Sequence, residues 1–93
     1  MIRVHISGHL KDYTGSKNDL QMSDATSVAV LVEKLNAKFP GIKERIFDDQ
    51  DRTREFVNIF LNGENIRDLD SEKTNIKDGD TVHILPSVAG GID

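Results

Sequence analysis

One segment of this 93-residue chain repeats with a helical period, and it lies between runs that alternate apolar and polar residues. Val28, Leu31, Val32, Leu35 and Phe39 fall at i, i+3, i+4, i+7 and i+11, a single apolar stripe, while Glu33, Lys34, Asn36 and Lys38 face away. Thr26 or Ser27 can cap the start, because a hydroxyl there accepts a bond from an orphan N–H of the first turn. Pro40-Gly41 ends it, since proline lacks an N–H and disfavours helix at the residue before it. One helix with one apolar stripe needs a sheet to bury it against.

The flanking segments supply that sheet. Ile2, Val4 and Ile6 alternate with Arg3 and His5 as a first strand, and Leu20 and Met22 form a weaker second one after a loop punctuated by Gly8 and Gly15-Ser16. Past the helix, Ile42, Ile46 and Phe47 fit one face of a short helical turn, and the charged residues 48–55 read as a solvated loop. Residues 56–61 are rich in β-branched and aromatic side chains, and Asn62-Gly63 suits a tight hairpin into a short return strand over 64–67. Residues 68–78 read as an irregular connection anchored by Leu69 and Ile76, and Asp78-Gly79-Asp80 turns into a last strand over 81–85.

This order predicts an α+β fold of the β-grasp, ubiquitin-like kind: a mixed sheet covered on one face by one main helix. The expected core is Ile2, Val4, Ile6, Leu20, Val28, Leu31, Val32, Leu35, Val57, Ile59, Leu61, Val82 and Ile84. The expected division is a domain over residues 1–85 and a flexible tail over 86–93 that contains Gly90-Gly91.

Composition narrows the chemistry. With no cysteine there is no disulfide, no catalytic thiol and no thiolate-held zinc. Twelve Lys+Arg against 16 Asp+Glu give a net charge of −4, which leaves no net field to attract a nucleic-acid backbone. No apolar run is long enough for a bilayer, and the first residues alternate like a strand where a signal peptide would be basic and then apolar, so a cytoplasmic protein without membrane association is expected.

Catalytic and ligand-binding signatures are sparse. His5 and His83 lie out of phase with the apolar strand positions, which places them on the open face; if the first and last strands pair, they become neighbours there. Neither a His-x-x-x-His spacing nor the ordered acidic positions of a calcium loop accompany them, and Gly90-Gly91 lacks the Lys-Ser/Thr pair and helix of a phosphate loop. No metal site, no catalytic residue and no bound cofactor are expected. Strand phase also turns Phe60 and Leu85 outward with His5 and His83, an apolar patch that suits recognition by a partner.

The end of the sequence is unusual. After Leu85 come Pro86, Ser87, Val88, Ala89, Gly90, Gly91, Ile92 and Asp93. A frayed terminus would look similar. The same residues also suit threading into a narrow site, since side chains shrink toward two glycines and the six residues 86–91 reach at most about 20 Å. The run over residues 56–67, the Asp78-Gly79-Asp80 turn with the strand and proline after it, and the closing Val88-Ala89-Gly90-Gly91 resemble the ThiS/MoaD family of ubiquitin-like sulfur carriers, above all its CysO-type branch.

The resemblance implies a protein with no catalysis of its own. Its Gly91 carboxylate would be adenylated by an E1-like enzyme that uses ATP and then transfers sulfur, with Val88, Ala89 and Gly90 threaded into that enzyme. The thiocarboxylate would donate sulfur to an acceptor synthase. Cysteine synthesis by a cysteine-synthase-like partner is favoured over thiamine, molybdopterin or a specialised metabolite. Phe60, Leu85, His5 and His83 would then meet the activating enzyme. Ile92 and Asp93 depart from the pattern, because Gly91 followed by Ile92 carries a peptide carbonyl and no carboxylate. A JAMM-type metallopeptidase cutting between Gly91 and Ile92 would restore the carboxylate; a non-native addition is the other explanation for the two residues. A covalent protein modifier and a noncovalent β-grasp binding module are the alternative functions.

Overall fold

The computed structural model describes residues 1–86 of the chain, apart from the His9 side chain. Its elements are β1 (Ile2–Ile6), a 3-10 segment (Gly8–Tyr13), β2 (Asp19–Met22), α1 (Val28–Lys38), α2 (Ile42–Ile46), β3 (Val57–Leu61), β4 (Glu64–Asn65), 3-10 turns at Ile66–Asp68 and Ser71–Lys73, and β5 (Thr81–Pro86).

The strands form one sheet in the order β2-β1-β5-β3-β4. β1 and β5 pair in parallel at its centre, and every other pairing is antiparallel. The two halves of the chain therefore meet along a single ladder, with Val4 opposite Val82 and His5 opposite His83.

Helix α1 forms where the apolar stripe requires. Ser27 caps it, its hydroxyl accepting from the Val30 N–H at 3.2 Å, and Val28, Leu31, Val32 and Leu35 are buried against the sheet. Phe39, at the end of the stripe, packs partly buried on the core. At Gly41 the chain takes φ +99°, which a residue with a Cβ adopts reluctantly, and this redirects it into α2. Asn36 fixes the corner: its side-chain oxygen accepts from the N–H groups of Gly41 and Lys43, both at 3.1 Å.

All thirteen residues expected in the core pack there, with Leu61 only partly buried. A second group joins them: Leu10, Met22, Ala25, Ile42, Ile46, Phe47, Ile66 and Ile76. Three expectations need correcting. The supposed loop after β1 is a 3-10 segment that inserts Leu10 into the core. Leu69 does not anchor the long connection; it is 38% exposed, and Ile66 is buried in its place. The last strand runs one residue further than expected, because Pro86 pairs with Val57 and is buried.

Candidate functional site

The face of the sheet opposite α1 carries the side chains that strand phase turns outward. One row crosses all five strands: Asp19 opposite His5, His5 opposite His83, His83 opposite Phe60, and Phe60 opposite Asn65. The rings of His5 and His83 lie 5.7 Å apart between centroids and tilt by 59°. Ser7 Oγ hydrogen-bonds His83 Nε2 at 2.9 Å, and Asp19 Oδ1 lies 3.9 Å from His5 Nδ1 and 4.0 Å from Arg3 Nε.

A second row runs beside it toward the end of β5. Leu85 stands opposite Asn58, and Pro86 opposite Val57. Asn58 Oδ1 accepts from Arg67 Nη1 at 2.9 Å, while Arg67 Nη2 donates to the carbonyls of Arg54 and Val57 at 2.8 and 2.9 Å. Arg67 thus pins the start of β3 beside the last described residue of the chain.

The structure brings together the four partner-surface residues expected from strand phase: His5, His83, Phe60 and Leu85 share this face. Phe60 and Leu85 point outward but are half-buried by their neighbours, so the patch is less exposed than outward phase alone suggests. The large apolar side chain that stands out nearby is Phe56, 49% exposed just before β3. Val88, Ala89, Gly90, Gly91 and Ile92 lie outside the described residues.

Ser7 and His83 approach like a nucleophile and a base, but the carboxylate of the row sits beside His5, so the pair lacks the orienting acid of a hydrolytic triad. Among the described residues no three His, Cys, Asp or Glu side chains group as metal ligands, and no helix is long and apolar enough to cross a membrane. A depression of about 520 Å³ lies between α2 and the following loop, lined in part by Lys43, Asp48, Asp51 and Arg54. It is polar and shares no residue with the open face.

Strand phase turns Asn58 outward with Phe60, whereas sequence reasoning missed Ser7, Asp19 and Arg67. Ser7 was open to strand phase, being two residues from His5 of the row. Arg67 was not, because its reach depends on the 3-10 turn that follows β4.

The open sheet face, built on the central strands β1 and β5, is the surface against which the comparisons with known families are set. Residues 4–91 match the ThiS family. The chain belongs to that family. Like other ThiS-family proteins it has relatives of similar length: the sulfur carrier protein CysO of Mycobacterium tuberculosis is 39% identical over 92 residues, covering 97% of this chain and 98% of the relative. The small archaeal modifier protein 3 of Haloferax volcanii is 32% identical over 71 residues, 76% of each chain. Among solved structures, a chain of the Amycolatopsis orientalis BexX/CysO complex superposes with a TM-score of 0.89 at 30% identity, covering 98% of this chain and all of that one. The fold is the β-grasp of this family, as the element order predicted.

Proposed function

We propose that this protein is a sulfur carrier of the CysO type whose working atom is the acyl carbon of Gly91. One observation carries the reading: the ThiS-family match runs through the domain and ends at Gly91, the second glycine of the pair. The likeness to CysO over nearly the full length of both chains supports it.

The chemistry starts with a cut. Gly91 is followed by Ile92, so a peptidase, which we assign to the JAMM metallopeptidase class, hydrolyses that bond and leaves a carboxylate. An E1-like enzyme then brings ATP; a carboxylate oxygen attacks the α-phosphorus and pyrophosphate leaves. The acyl adenylate is a far better acyl donor than the carboxylate, and sulfide delivered in the enzyme's site attacks the acyl carbon and displaces AMP to give the thiocarboxylate. The carrier needs no side-chain catalyst for this. It supplies the terminal acyl group and an address, the open face with Phe60, Leu85, His5 and His83, and glycines at 90 and 91 let the backbone pass close to the nucleotide. The final acceptor is a synthase, with cysteine synthesis favoured by the CysO likeness over thiamine or molybdopterin. The BexX/CysO complex is a precedent for a carrier of this shape bound to another protein.

The similarity to a small archaeal modifier protein favours a second reading, in which activated Gly91 is joined to lysines of other proteins. Intact-mass analysis separates the two. A carrier ending at Gly91, incubated with ATP, its activating enzyme and a sulfide source, gains the difference between a sulfur and an oxygen atom. A modifier yields lysine-linked conjugates and no such species, and that result would reject the carrier reading.

A further inference from the structure

A second surface lies where the 3-10 segment Gly8–Tyr13, helix α2 and the approach to β3 converge. Tyr13, Gly41, Glu44, Arg45, Arg54 and Phe56 line a depression of about 420 Å³ there. None of them belongs to the row that carries His5, His83 and Phe60. Phe56 immediately precedes Val57, the strand partner of Pro86, which sets the depression at the end of the sheet where β5 finishes.

The cationic groups of this depression are held in place. A Cβ built on Gly41 would lie 3.3 Å from Tyr13 Cε1, so the Tyr13 ring packs on the Gly41 backbone. The Tyr13 hydroxyl accepts from Arg45 Nε at 2.6 Å, and the Glu44 carbonyl accepts from Arg54 Nε at 2.7 Å. Each guanidinium is thus tethered through Nε, and among the described residues nothing accepts from its two Nη groups. Glu44 lines the same depression and the chain carries a net charge of −4, yet no carboxylate of the described residues comes within 4.0 Å of either arginine's nitrogens.

A guanidinium whose Nη pair is open takes a carboxylate through two parallel N–H···O bonds, and a side chain already tethered loses little freedom when it does so. Phe56 sets a second requirement. Its ring is 49% exposed beside the two arginines. A bare inorganic anion would leave that ring in water, whereas an apolar side chain next to a carboxylate would cover it.

We infer that this depression is a docking site for an acidic segment of a partner protein, which presents an Asp or Glu carboxylate to Arg45 and Arg54 and an adjacent apolar side chain to Phe56 and Tyr13. The site is independent of the sulfur-carrier reading, because none of its residues takes part in the chemistry at Gly91.

NMR titration of the full chain tests it with three probes at matched ionic strength: capped Leu-Glu-Leu, capped Leu-Gln-Leu and inorganic phosphate. Leu-Glu-Leu should give saturable shifts at the Nε–H signals of Arg45 and Arg54 and at the Phe56 ring, and should bind roughly fivefold or more tightly than either other probe. Arg45→Gln and Arg54→Gln should each weaken it by a similar factor, and Phe56→Ala about threefold. Arg52→Gln makes the same change at an exposed arginine outside the depression and should leave affinity within about twofold. No saturable shift at about 10 mM Leu-Glu-Leu overturns the inference, as does equal binding of the Glu and Gln peptides. Phosphate binding as tightly as Leu-Glu-Leu overturns it too, because the site would then read only an anion. Equal losses in Arg45→Gln and Arg52→Gln would reduce the effect to net charge and also reject it. Should a glutamine variant fail to fold, the three probes on the wild-type chain decide alone.

Discussion

Phe60 stands directly across from His83 in the β3–β5 ladder, so an aromatic ring and an imidazole share the middle of the open face. Neither contributes to the core, which lies on the other side of the sheet. Replacing Phe60 or Leu85 with alanine should leave the fold intact and weaken association with the activating enzyme. A loss of about 1–2 kcal/mol, roughly five- to thirtyfold in affinity, is expected for a central apolar anchor. Titration calorimetry measures it. Unchanged affinity in both variants would remove this face as the docking surface.

The residues of this face were legible because period-2 phase survives any error in strand boundaries. Once Ile2, Val4 and Ile6 are assigned inward, His5 faces outward, and pairing of the first and last strands brings His83 beside it. The core was legible only where periodicity was strong. Leu10 is one apolar residue between Gly8 and Gly15, and no alternation marks a 3-10 segment. Ile66 and Leu69 differ by a single 3-10 turn, so a linear reading cannot tell which of them points inward. Pro86 looked like the first residue of a tail because proline often stops a strand; the space over Gly8 that lets it stay in the sheet exists only in three dimensions.

Leu35 packs at the centre of the helix–sheet interface and has no exposed surface. Leu35→Ala removes three carbons from a site enclosed by both layers. It should cost about 2–5 kcal/mol, the spread reflecting how far the cavity can relax. Urea unfolding followed by circular dichroism reads this as a lower midpoint with an unchanged slope. A loss below about 1 kcal/mol would mean that α1 does not cover the sheet as described.

Three carboxylates are held as anions by hydrogen bonds. Asp48 accepts from the Arg52 and Gln50 N–H groups, and Asp80 from the Lys77 N–H and the Asn62 amide; both titrate below the ordinary aspartate value. Burial pushes Glu72 up, but the Thr53 N–H and hydroxyl at 2.7 and 2.8 Å outweigh it, and its value also falls. A carboxyl with a depressed native pKa stabilises the fold above its unfolded value, about 3.9–4.3, and that contribution disappears as pH falls through the native value. Stability should therefore drop below about pH 4, and the Asp48→Asn, Glu72→Gln, Asp80→Asn triple variant should show a shallower acid limb. Urea midpoints between pH 7 and pH 2.5 check this; parallel curves for the two proteins would contradict it.

On the sulfur-carrier reading, the peptide bond between Gly91 and Ile92 decides whether the chain can be activated. An amide carbonyl has no anionic oxygen to attack a phosphorus, whereas a terminal carboxylate, with an ordinary pKa of about 3.3–3.7, is fully ionised at neutral pH. A form ending at Asp93 would carry its carboxylate two residues beyond Gly91, on a residue with an acidic side chain in place of glycine. Protein ending at Gly91 should support ATP–pyrophosphate exchange, and protein ending at Asp93 should not until Ile92-Asp93 is removed. Restoring Ile92 alone should already abolish exchange. Equal activity in the long and short forms would move the reacting carboxylate from Gly91 to Asp93 and dispense with the peptidase.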